Sequence, residues 1–127
     1  MQRLKYLLII VGAIQLILGG LYLLVPHQML SWMGQSPIAD DIAYPLGMLA
    51  ARFLVYGALM VLAARDPDRY RLLILGMVVI QMLDLAVGGF YTLNGTVSLS
   101  LSAFPMFNAL WIATLLWWWR PALQKAD

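Results

Sequence analysis

Four apolar stretches of about twenty residues, at 6–25, 44–64, 71–91 and 100–119, leave this chain few ways to fold. A helix rises about 1.5 Å per residue, so each stretch is long enough to cross roughly 30 Å of hydrocarbon. Barrel strands would alternate in polarity over about ten residues, and these segments do not. The sequence therefore predicts an all-α, polytopic membrane protein, a single bundle of four transmembrane helices within residues 1–127. Composition agrees, since 63% of the residues are hydrophobic and only 11% charged. Charges that sparse cannot coat a soluble domain, whereas a lipid-facing surface needs few.

The connections carry their own signals. Pro26 closes the first span, because it lacks an amide hydrogen and clashes with the preceding turn. Asp66-Pro67-Asp68 and Asn94-Gly95 supply turns for the next two, and Arg120-Pro121 stops the fourth. Arg3 and Lys5 ahead of an apolar run resemble the start of a secretory signal. A full-span length and the lack of a small-x-small site before Pro26 predict instead that the first helix is retained.

Orientation follows from the basic residues, which concentrate on the cytoplasmic side of short loops. Arg3 and Lys5 precede the first span, Arg65, Arg69 and Arg71 join the second to the third, and Arg120 and Lys125 follow the fourth. Seven of the eight basic residues thus share one side, which predicts both termini in the cytoplasm. The net charge of +2 is explained by this topology. No basic stripe supports nucleic-acid binding. Trp117, Trp118, Trp119, Tyr6 and Tyr70 would mark the inner interface, and Tyr22, Tyr44 and Tyr91 the outer one. The outer connection at 26–43 contains Met29, Leu30, Trp32 and Met33, an apolar cluster suited to a short interfacial helix or to a lid over the bundle.

Five strongly polar side chains interrupt the spans: Gln15, Arg52, Gln81, Asp84 and Asn108. Counted from the outer helix ends they lie about 10 to 15 Å deep, in one layer. An unpaired Arg near the bilayer centre costs roughly 2.5 to 3.5 kcal/mol on insertion scales, so an acid at equal depth is its natural partner. The short connection between the second and third spans makes those helices antiparallel neighbours, and a buried Arg52 to Asp84 salt bridge is predicted. Met77, Gln81, Asp84 and Gly88 form one stripe, and Met48, Arg52 and Tyr56 another. Gly12, Gln15 and Gly19 share a face of the first helix, where small residues allow close approach, as at Gly88. Pro105 stands about one turn above Asn108 as a candidate bend. Two readings of the layer follow. It lines an outward cavity in which Arg52 meets an anionic or carbonyl-bearing head and Asp84 takes up protons, or it is a hydrogen-bonded network that fixes helix packing.

Catalytic chemistry finds little support. Without cysteine there is no disulfide, thiolate zinc site or iron-sulfur cluster. The single histidine, His27, is a surface residue or an axial ligand to a pigment or haem, and no second histidine exists to share a metal. Asp40 and Asp41 read as solvated loop residues. Asn94-Gly95-Thr96 fits a glycosylation acceptor but reads better as a turn. No nucleophile–base pair or phosphate loop is present.

Gly19-Gly20-Leu21 leading to Pro26, the Ala51-Arg52 pair with Gly57 five residues on, and the Arg-rich second connection together resemble the group of small bacterial four-helix membrane proteins related to DoxX. That resemblance implies a bacterial inner membrane and a role as a small membrane subunit of a quinone-linked redox assembly. Three functions follow as expectations. The first is a non-catalytic accessory subunit, packed against other membrane proteins or itself. The second is a binder of a lipid, quinone or other amphiphile around Arg52 and Asp84. The third is a small transporter, for which neither broken helices nor an inverted repeat is visible.

Overall fold

The computed structural model describes residues 2–35 and 39–121. The predicted spans appear as α1 (Gln2–Leu24), α3 (Ala43–Ala63), α4 (Arg71–Leu93) and α5 (Leu99–Trp119), each long and apolar enough to cross a membrane. A short α2 (Pro26–Trp32) and one 3₁₀ turn (Asp40–Ile42) occupy the first connection. The chain is a multi-pass membrane protein built as an all-helical bundle.

Local chemistry sets the boundaries. Pro26 takes the first position of α2, where its missing amide hydrogen leaves no intrahelical bond unmade, so the chain turns after Leu24 and restarts at once. Between α4 and α5 the Asn94 side chain accepts from the Thr96 amide at 2.9 Å, and Gly95 adopts φ +84°, a turn geometry costly for any residue with a Cβ. Ser98 caps α5 by accepting from the Leu101 amide. Pro105 lies inside α5 without ending it. On the other side of the bundle, the Asp66 carboxylate accepts from the Arg69 amide and the Asp68 carbonyl from Arg71 Nη1, which tightens the α3–α4 connection.

The helices associate in two pairs, α1 with α3 and α4 with α5, while α3 touches α4 and α1 touches α5 far less. Small residues explain the first pair. A Cβ added to Gly57 would stand 2.9 Å from the Gly12 carbonyl oxygen, and one added to Gly12 would stand 2.8 Å from that of Gly57. Farther along, Gly19 faces the Ala50 carbonyl and the Leu54 side chain. Backbones therefore touch along the seam, which supplies dispersion contacts where lipid offers no hydrophobic drive. In the second pair Met106 fills the space above Gly88, and Thr92 bonds Ser102 at 2.6 Å.

All four long helices share a core at the end that carries the basic residues. Leu4, Leu8 and Val11 of α1 meet Met60 and Ala63 of α3, Ile74 and Met77 of α4, and Ile112 and Leu116 of α5. Trp119 and Tyr70 pack against its rim. Tyr6, Tyr44, Trp117 and Trp118 are exposed, as expected of side chains at a membrane surface. Lys125 lies outside the described residues.

Candidate functional site

Away from this core the two pairs separate around a cavity of about 400 Å³. Its polar lining comes from Gln15 on α1, Gln81 and Asp84 on α4, and Ser102 and Asn108 on α5. Its apolar walls include Tyr22, Leu49, Phe53, Phe104 and Met106, and Met29, Met33 and Gln35 close it from the α2 side. Four of the five polar residues predicted to form a layer are thus brought together around one space. A volume of this size lies within the range of small-molecule sites.

Each amide has a distinct environment. Gln81 is 3% exposed and donates through Nε2 to the Met77 sulfur at 3.2 Å, a weak acceptor that leaves its carbonyl oxygen free. Gln15 is 4% exposed and forms no hydrogen bond among the described residues. No side-chain nitrogen or oxygen among them is sealed away without a partner, so the Gln15 amide opens onto the cavity that it lines. Asn108 accepts from Trp111 Nε1 at 3.1 Å, which fixes its oxygen and leaves its two N–H donors unspent. The Tyr22 ring stacks on Phe53 at 5.9 Å and its hydroxyl donates to the Met33 sulfur at 3.5 Å, tying α1, α3 and the α2 segment together.

The predicted Arg52 to Asp84 salt bridge is not formed. Arg52 Nη1 instead donates to the Met48 carbonyl at 2.9 Å, one turn back along its own helix. The physical reason is the helix pairing. α3 packs along α1 and meets α4 only sparsely, so equal depth does not bring the two side chains within reach. Arg52, Met48 and Tyr56 lie on the exposed face of α3, and neither Arg52 nor Tyr56 lines the cavity. Backward reach toward the helix start also carries the charge toward the membrane surface, which relieves an Arg within a span without an acid.

His27 stands at the start of α2 with Nε2 3.7 Å from an oxygen of the fully exposed Asp40, a contact between α2 and the 3₁₀ turn. No group of three His, Asp or Glu side chains among the described residues could hold a metal ion. Asp41 is exposed.

Sequence reasoning did not find the Tyr22–Phe53 stack, the Thr92–Ser102 bond or the contribution of Phe104. The methionines of the first connection did give a signal, and Met29 and Met33 are among the residues that line the cavity. Comparison of the chain with protein-family models, with curated proteins and with solved structures gives no match.

Proposed function

We propose that this protein binds an amphiphile within the membrane, the polar head in the cavity and the tail along its apolar wall. The observation that carries this reading is a buried, unbonded Gln15 amide facing, across 400 Å³, the unspent donors and acceptors of Gln81, Asp84 and Asn108. A network made only for packing would consume these groups in bonds to one another, because polar atoms left unpaired in low dielectric are costly. A quinone, the cofactor that the DoxX-like resemblance implies, would find amide donors for its carbonyls at Gln15 and Asn108. The bundle is placed in the cytoplasmic membrane of a bacterium with both termini inside, so that the cavity lies in the outer leaflet; the basic residues at one end support this.

Extraction into nanodiscs followed by mass spectrometry of co-purifying small molecules tests the binding reading. A single amphiphile is expected at near-stoichiometric occupancy, and Gln15→Leu with Gln81→Leu should empty the site while helicity is retained. Occupancy unchanged in that variant would refute it. Orientation is tested separately by single cysteines in this cysteine-free chain. Thr96→Cys, at an exposed position of the same turn, should react with an impermeant reagent from outside, and Asp68→Cys only after lysis.

Arg52 supports a second reading, that of a subunit or self-associating protein. Among the described residues it uses one hydrogen bond of its five donors, on an exposed helix face. An acid or carbonyl of a neighbouring helix would satisfy the rest. A membrane protein recovered stoichiometrically with the wild type and lost with Arg52→Met would establish that reading.

A further inference from the structure

We infer that the head group taken by this cavity is cationic, a lipophilic amine or quaternary ammonium whose charge is met by Asp84. The inference rests on the binding reading above and names the chemical class of its ligand.

Charge is the first ground. Asp84 lines the cavity with its side chain accessible, and among the described residues it has neither an ion pair nor a hydrogen bond. Among the described residues no lysine, arginine or histidine lines the cavity, and Arg52, the basic residue of the spans' interior, is held at the Met48 carbonyl. A carboxylate in a largely apolar surrounding is expensive unless a counter-charge arrives. An anionic head would meet that acid with nothing to offset it, and a neutral head would leave it unpaired.

The walls are the second ground. Tyr22, Phe53, Tyr91 and Phe104 come from all four long helices to the same space. Aromatic faces attract cations, and quaternary ammonium groups are recognised by such rings because they offer diffuse charge and no donor. The methionine sulfurs of Met29, Met33 and Met106 add polarizable contacts suited to an alkyl chain. An acid with several aromatic rings around a hollow of this volume fits a lipophilic cation better than a carbonyl compound, for which the amides alone would suffice.

Three ligands with one tail separate the possibilities: decyltrimethylammonium, decanol and decyl sulfate, each titrated onto the purified chain in dodecyl maltoside and read by native mass spectrometry. The cation is expected to bind at least about tenfold more tightly than decanol, and decyl sulfate weakest, in keeping with the coupling measured for close charge pairs. Asp84→Asn should abolish the preference for the cation over decanol and Asp84→Glu should keep it, with helicity and size-exclusion retention unchanged in both. Equal binding of cation and decanol by the wild type would overturn the cationic head and leave amphiphile binding standing. The same holds if a folded Asp84→Asn variant keeps the preference. If none of the three binds, both this inference and the amphiphile reading fail.

Discussion

Replacing Gly57 with alanine probes the contact on which the α1–α3 pair depends. The new Cβ would stand 2.9 Å from the Gly12 carbonyl oxygen, 2.8 Å from Leu16 Cγ and 3.0 Å from the Leu16 amide nitrogen. Two of these three are backbone atoms, so rotating one side chain cannot relieve the clash. Ordinary contact begins near 3.4 Å, so the helices must part by about 0.5 Å at this point. Overpacking of that kind costs about 1 to 3 kcal/mol, against which the higher helix propensity of alanine returns up to about 1 kcal/mol. Because two of the three contacts are with backbone, the upper half of that overpacking range applies, and the net expected loss is about 1 to 2 kcal/mol. Gly20 is the internal control, because a Cβ there meets nothing within 4 Å, and Gly20→Ala should be neutral or mildly stabilising. Gly12→Ala forces apart the same two backbones, so the double variant should lose less than the sum of the single losses. Reversible unfolding in mixed micelles, followed by helicity and tryptophan emission, reads all four. If Gly57→Ala proves as harmless as Gly20→Ala, or the double variant is strictly additive, the backbone-contact reasoning is wrong.

Other consequences can be checked in the same assay. Arg52→Met and Asp84→Asn should each shift stability by less than about 1 kcal/mol, with a coupling energy near zero, since the two side chains form no pair; a coupling above about 1 kcal/mol would restore the salt bridge. Thr92→Val removes the 2.6 Å bond to Ser102 and should cost about 0.5 to 1.5 kcal/mol, most of it recovered by Thr92→Ser. Leu8→Ala, at a side chain that is fully buried in the shared core, should cost about 2 to 4 kcal/mol, whereas Leu24→Ala, 78% exposed, should cost less than about 0.5 kcal/mol.

The spans were legible because crossing a bilayer requires length and apolarity together, and both are written locally. The turn at Asn94-Gly95 and the short helix after Pro26 were legible for the same reason, each depending on a few adjacent residues. The partner of each helix was not. Reasoning from the short α3–α4 connection joined two helices that barely meet, and the depth argument for Arg52 and Asp84 gave height without azimuth. Successive residues turn by about 100° around a helix, so two groups at one level still point anywhere around it. The glycines contained the missing information: Gly12 and Gly19 on one helix match Gly57 and Ala50 on the other, a spacing that only close backbone contact explains. For the candidate site, polarity marked Gln15, Gln81, Asp84 and Asn108 as one group, and all four line the cavity, while the aromatic wall was hidden among residues that lipid exposure would equally allow.

The pairing also bears on how the chain is made. α1 and α3 are consecutive spans, and so are α4 and α5, so the bundle consists of two helical hairpins delivered in order of synthesis. Each hairpin can complete its closest contacts inside the bilayer before it meets the other, which shortens the search that a four-helix bundle would otherwise face. Once assembled, they are clamped where Leu8, Met60, Ile74 and Ile112 interlock and little joined at the other end. The hollow between them lies at that sparsely joined end, so a wider gap there would unmake none of the contacts that hold either hairpin together.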